Sequence, residues 1–165
     1  MLTQARLKEL LHYNPETGEF TRLVSTCNKV KVGDVAGAIQ NTGYIAISVD
    51  SKLYLAHRLA WLYITGKFPL KQIDHVNGVR HDNRLINIRE CSQYENNQNM
   101  VSRKNATSKH IGVSWNKERN KWRAAIYING KQKHLGRFKT EKEAINAYIK
   151  AKAQNHTFNP IQRSI

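Results

Sequence analysis

The dipeptide Asn129-Gly130 constrains this chain more than any other pair of residues in it. A two-residue hairpin turn needs positive φ at both central positions, and Asn followed by Gly tolerates that best. The flanking residues agree with a hairpin. Residues 121–128 alternate, with Trp122, Ala124, Ile126 and Ile128 on one face and Arg123, Ala125 and Tyr127 on the other. Residues 131–138 supply the returning strand, 111–115 a shorter first strand, and 116–120 the turn between first and second. Thr140 and Glu143 then have capping-box spacing, in which each side chain satisfies an unpaired backbone N–H. They open a helix to about Asn155, whose Ala144, Ile145, Ala147, Tyr148 and Ala151 form one apolar stripe. The expectation for 110–156 is a three-stranded antiparallel sheet with a helix on one face. Its other face is bare and basic.

The preceding residues read as an α+β unit. Residues 4–12 have helical spacing, with Thr3 as its cap, and Asn14 to Gly18 form a turn. Residues 19–24 and 44–49 read as strands, the second with Ile45, Ile47 and Val49 on one face. Asp50-Ser51-Lys52 turns, and an apolar run from Leu53 to Leu55 feeds a helix that ends before Gly66, with Pro69 beyond. Residues 25–36 are weakly patterned. The whole is expected to be an N-terminal β-rich scaffold followed by the sheet-and-helix unit. The divisions are 1–100 for the first domain (core 54–100), 101–109 as a basic linker, 110–156 for the sheet-and-helix domain and 157–165 as a tail.

Chemistry concentrates between Ile73 and Asn99, IDHVNGVRHDNRLINIRECSQYENNQN. Ser92 and Glu95 have capping-box spacing, which places Asn96 at the start of a short helix. Asp74, His75, Asn87 and Asn96 could then converge from a strand, a loop and a helix. Hydrolysis of a phosphodiester needs an activated water, a polarised phosphate and a stabilised departing oxygen. A neutral imidazole with a pKa near about 6.5 suits the first task, and a hard divalent cation the other two. Mg²⁺ keeps several waters, so Asp74 and Asn96 suffice as oxygen ligands. Neighbouring strand residues point to opposite sides, so Asp74 and His75 can serve metal and water only if the strand ends there; Asn77-Gly78 is a good place for it to end. Asn87 reads as a clamp on the loop backbone that keeps His75 in aim. The plain alternative is a surface Asp-His pair and an ordinary helical Asn. His57 reads as a structural histidine, His81 as a loop residue, and Arg58 as a phosphate contact.

Charge supplies the partner. Residues 1–100 hold 12 Lys and Arg against 9 Asp and Glu, whereas residues 101–165 hold 15 against 3. A surplus gathered in the last third of the chain, on a strand-rich segment with interleaved aromatics, is the footprint expected for nucleic acid. Arg103 and Lys104 in the linker are expected to lie along DNA. No stretch is apolar enough to cross a membrane, and the start lacks the pattern of a secretion signal. Two cysteines without a CxxC spacing fit a reducing cytoplasm and argue against a thiolate zinc site.

The stretch HRLAWLYITG followed by IDHVNGVRHDNRLINIRECSQYENNQN resembles the HNH endonucleases of phage and mobile-intron type, over residues 54–100. The resemblance implies a ββα-metal fold, His75 as general base, Asp74 and Asn96 on one divalent ion (Mg²⁺ or Mn²⁺), and Asn87 as the middle letter of the family name. Asn96 stands where the last letter is usually His. Residues 111–156 resemble the plant ethylene-response-factor type of DNA-binding domain. The likeness rests on Gly112-Val113, Trp122-x-Ala124, Leu135-Gly136-x-Phe138 and the Ala-rich helix. It implies a sheet laid in the major groove, presenting Ser114, Asn116, Arg123, Tyr127, Gln132 and His134, with Trp115 and Trp122 on the core side. Together these readings describe a DNA endonuclease with a targeting module, a monomer on double-stranded DNA in the cytoplasm, the host's if phage-encoded. The alternative is a sequence-specific DNA-binding regulator with an inert nuclease motif.

Overall fold

The computed structural model describes residues 1–25, 27–98 and 105–156. They divide into two compact units, Met1–Ser92 and, among the described residues that follow, 93–156. Each is taken by itself below.

The first unit opens with α1 (Gln4–Leu10), whose Thr3 hydroxyl accepts the Arg6 N–H. The helix stops at Leu10, two residues short of the expected end, because Leu11 enters β1 (Leu11–Tyr13). Leu11 and Tyr13 are buried by the strand's alternation while His12 faces out. An Asn14–Gly18 turn leads to β2 (Phe20–Arg22), antiparallel to β1. The Asn14 carboxamide oxygen accepts the N–H groups of Glu16 and Thr17, so the turn is closed by its own first side chain.

β3 (Ala38–Ile39), β4 (Ile45–Val49) and β5 (Lys52–Leu55) form a second antiparallel sheet in chain order. Asp50 and Ser51 both have positive φ, which is what a tight hairpin turn demands. The turn pairs the apolar run 53–55 with β4, so that run is a strand in its own right before the helix begins. α2 (Ala56–Thr65) follows at once and ends at Gly66 in the left-handed conformation. Leu59, Ala60 and Leu62 of α2 meet Leu7, Leu11, Tyr13, Phe20, Ile47 and Val49 in one core. That core also takes Ile73 and Ile88, from the two strands β6 (Gln72–His75) and β7 (Ile88–Cys91). Burying such a side chain contributes about 1.5–3 kcal/mol, so the scaffold holds this small hairpin firmly by its apolar residues.

The second unit begins with α3 (Gln93–Gln98). Its Tyr94 hydroxyl accepts the Asn129 N–H, and its Gln98 carbonyl accepts Lys152 Nζ. β8 (Val113–Asn116), β9 (Lys121–Ile128) and β10 (Lys131–Phe138) make an antiparallel sheet with β9 central. Asn129 and Gly130 both take positive φ, as their identities dictate. α4 (Glu141–Asn155) starts on a complete Thr140–Glu143 capping box. Its Ala144, Tyr148 and Ala151 pack on Val113, Ala124 and Ile126. Trp115 and Trp122 are register partners on this same side, edge to face at 5.3 Å.

One irregularity governs the open face. β10 carries a bulge between His134 and Gly136. Plain alternation from Gln132 and His134 puts Arg137 on the helix side. The extra residue, Leu135, reverses the parity, so Phe138 pairs with Trp122 over the core and Arg137 pairs with Arg123 on the open face. Among the described residues no helix is long and apolar enough to cross a membrane.

Candidate nuclease site and nucleic-acid face

Strand β6 ends at His75, and the chain turns immediately, with the Gly78 N–H donating to the His75 carbonyl. Asp74 and His75 are therefore the last two residues of a strand, both buried. Asp74 lies opposite Arg89 in the β6–β7 ladder, and its Oδ2 accepts from Arg89 Nη2 at 3.0 Å and from Nε at 3.3 Å. His75 lies opposite Ile88.

The loop from Val76 to the 3₁₀ turn Leu85–Asn87 is held from within. Asn87 is 5% exposed; its Oδ1 accepts the Asn77 N–H at 2.9 Å and its Nδ2 donates to the Asp82 carbonyl at 2.7 Å. One amide thus joins both limbs of the loop, and the Asn87 carbonyl adds a bond from the Val76 N–H. Asp82 is fastened in turn by Arg84 and by Asn77 Nδ2, and the Arg84 guanidinium first, with Asn77 behind it, lowers its pKa to about 2.

His75 sits in an aromatic nest. The His57 ring meets it edge to face at 5.1 Å, and Tyr44 approaches both rings, at 5.2 Å and 5.8 Å. The Arg80 guanidinium lies over Tyr44 and donates to the Thr42 carbonyl. Burial is the main reason the His75 pKa falls below its ordinary value; Asn83 and the Asp74 charge pull the other way. His57 is pushed down to about 3 by burial first, then by His75 and Arg58. It is 5% exposed and its Nδ1 has no hydrogen-bond partner among the described residues. Both rings are consequently neutral at pH 7, which is the form a general base requires.

A residue that spacing did not flag touches His75. Asn83 is 1% exposed, and its Oδ1 lies 3.2 Å from His75 Nε2. The first hairpin grips Asn83 from outside. The Tyr13 hydroxyl donates to the Asn83 carbonyl at 2.7 Å, and the Leu85 N–H donates to the Pro15 carbonyl at 3.0 Å. A Cβ added at Gly18 would stand 2.5 Å from the Asn83 and Arg84 backbone, so the hairpin presses flat against the loop.

The other expected site residues are placed as follows. Asn96 is half-buried on α3, in the second unit. Arg58 is half-buried on α2, one residue after His57. The His81 side chain is exposed, while its carbonyl accepts Asn83 Nδ2 at 3.4 Å. Arg103 and Lys104 lie outside the described residues, as does the tail. Ser114, Arg123, Tyr127, Gln132 and His134 share the open face by register, and Arg123 Nη2 donates to Gln132 Oε1. Asn116 pairs with Lys121 on that face, but its Oδ1 closes the β8–β9 turn by accepting the Arg119 N–H. Among the described residues no three His, Cys, Asp or Glu gather as a metal cage. The Asp74 carboxylate is a hard oxygen donor, of the kind that suits a cation that keeps its waters.

Comparison with known proteins agrees with both halves of this description. Residues 54–98 match the HNH endonuclease family, and residues 108–156 match the AP2 domain. "Protein 3.8" of Escherichia phage T7 is 38% identical over 77 residues, which is 46% of this chain and 64% of that protein, so the chain spans a little under two thirds of that relative. A solved structure of DNA binding and cleavage by the HNH homing endonuclease I-HmuI aligns with a TM-score of 0.41 at 23% identity, covering 55% of this chain and 51% of that one. The chain thus carries an HNH endonuclease-type segment over residues 54–98 and an AP2-type segment over residues 108–156.

Proposed function

We propose that this chain is a metal-dependent DNA endonuclease that hydrolyses phosphodiester bonds, with His75 as general base and the three-stranded sheet as its targeting surface. The observation that carries the reading is the setting of His75. A buried imidazole, kept neutral by its surroundings, ends a strand directly after a carboxylate and is held at one ring nitrogen by a buried amide. A merely structural surface pair needs none of this. His75 accepts the proton of an attacking water; Asn83 and Asn87 hold the loop that aims it. Asp74 and Asn96 are the oxygen ligands for one divalent ion, Mg²⁺ or Mn²⁺. Such an ion, when bound, supplies polarisation of the scissile phosphate and stabilisation of the departing oxygen. Arg80 and Arg58 meet neighbouring phosphates. On the sheet, Ser114, Arg123, Tyr127, Gln132 and His134 face the groove of double-stranded DNA, with Arg103, Lys104 and Asn116 alongside. The enzyme acts as a monomer on DNA, in the cytoplasm.

Supercoiled plasmid incubated with Mg²⁺ or Mn²⁺, with and without chelator, tests this beside His75→Ala. Nicking by the wild type that stops with chelator and with His75→Ala is expected. Equal nicking by both proteins would remove His75 as the base. The regulator reading has one observation in its favour: Arg89 already neutralises Asp74, which weakens that carboxylate as a cation ligand. Site-selective DNA binding with no metal-dependent nicking would decide for it.

A further inference from the structure

We infer that Arg89 is a phosphate-binding residue of the nuclease site, held on Asp74 until DNA arrives, and that DNA and cation therefore bind together. The inference rests on the nuclease reading above for the cation at Asp74, though not for the exchange of Arg89 itself.

The pairing is built into the hairpin. Asp74 and Arg89 face each other across the β6–β7 ladder, so their side chains leave on one side of it. Nη2 and Nε of Arg89 both donate to Asp74 Oδ2, at 3.0 Å and 3.3 Å. The Asp74 side chain is 9% exposed and that of Arg89 25%, so Arg89 reaches the surface where Asp74 does not. The neighbouring charges are engaged too. Asp82 is gripped by Arg84 Nε and Nη2, at 2.8 Å and 2.6 Å. Glu90 lies toward the far end of the hairpin, where its Oε1 accepts the Lys71 N–H. Arg80 rests on the Thr42 carbonyl and the Tyr44 ring, neither of which cancels its charge. Three guanidiniums thus stand against two carboxylates, Asp74 and Asp82, about the turn end of the hairpin.

Such a place attracts an anion before a cation. A phosphodiester offers Arg89 what Asp74 offers it, charged oxygens within reach of a planar fork. The order of binding follows from what each ligand would leave behind. A phosphate alone would draw Arg89 off a buried carboxylate and strand that charge. A cation alone would have to displace Arg89 or sit beside its charge. With both, every charge keeps a partner: Arg89 on the phosphate, Asp74 on the cation. The two affinities are then coupled, and each ligand raises the other's by the same factor.

Duplex binding in chelator isolates the exchange, read in the full-length protein by the anisotropy of a labelled random-sequence duplex. Asp74→Asn keeps the packing and releases Arg89, so it should tighten binding by about 3–10-fold. Arg89→Met should weaken binding and reduce the salt slope by about 1. In the double variant the gain from Asp74→Asn should vanish. A gain of equal size there would mean bulk charge alone and overturns the exchange. Asp74→Asn that binds no tighter than wild type also overturns it, even if Arg89→Met fails to fold. Free Mn²⁺ counted by electron paramagnetic resonance, without DNA, isolates the effect on the cation. Arg89→Met should bind Mn²⁺ on the order of 10-fold more tightly than wild type; equal binding by the two overturns the coupling. The exchange seen in chelator, with Mn²⁺ bound by neither protein and no nicking by the wild type, leaves Arg89 as a phosphate residue and defeats the nuclease reading instead.

Discussion

His57 makes the strongest demand on the folded state, and its removal has a calculable signature. The ring is 5% exposed, its Nδ1 has no partner among the described residues, and its pKa is pushed down to about 3. The unfolded chain returns it to about 6.5. Because the folded-state value lies below the unfolded one, the unfolded chain binds the extra proton. Stability from this residue is complete above about pH 6.5 and is lost as pH falls toward 3. Each pH unit in that window costs about 1.4 kcal/mol, so moving from pH 7.5 to pH 5 costs about 2 kcal/mol. The figure barely changes if the folded value is one unit higher, since pH 5 still lies above it. His57→Phe fills the same space and cannot titrate. Urea unfolding at pH 7.5 and pH 5, followed through Trp61 after replacing Trp115 and Trp122 by Phe, compares the two proteins. Wild type should lose about 2 kcal/mol more than His57→Phe between those pH values. Equal losses would mean that His57 protonates in the folded state, and the packed neutral pair of His57 and His75 would be refuted.

Two further outcomes bear on the metal and on the sheet. Asn96→Ala should raise the Mg²⁺ concentration needed for half-maximal nicking by about 10-fold or more; an unchanged titration would move the ligand elsewhere in the chain. Arg137→Ala should weaken binding of the target duplex and reduce the salt slope by about 1, whereas Lys133→Ala, which deletes the same charge at a position paired with Ile126 on the helix side, should do much less. Equal effects from the two variants would show that charge, and not the face, governs binding.

The sequence disclosed most where local chemistry and tertiary packing ask for the same thing. The second unit is such a case. Asn129-Gly130, the alternation through Ile126 and the Thr140–Glu143 box each specify one local geometry, and the structure keeps all three. It departed where one residue is inserted without a strong local mark. Leu135 looks like a normal strand residue, so alternation alone gives no sign that Arg137 joins the open face; Gly136, at φ 146, was the available mark of a bulge. In the first unit, α1 ended early because burying Leu11 in β1 outweighed its helical spacing. Asp74, His75 and Asn87 were legible as a motif. Asn83 was not, and His57, read as a structural histidine, gave no sign of its packing on His75, because these contacts span 8 and 18 residues, and Tyr13 reaches Asn83 across 70. No periodicity encodes a meeting of that kind.

The nuclease reading is tested most directly by locating the cation. Crystals of the protein with a target duplex and Mn²⁺, measured for anomalous scattering, should show one peak within about 2.5 Å of a carboxylate oxygen of Asp74 and the amide oxygen of Asn96, with the His75 ring turned toward the scissile phosphate. A duplex bound on the sheet while Asp74 remains paired to Arg89, with no peak beside it, would contradict the account and leave a DNA-binding protein without a nuclease centre.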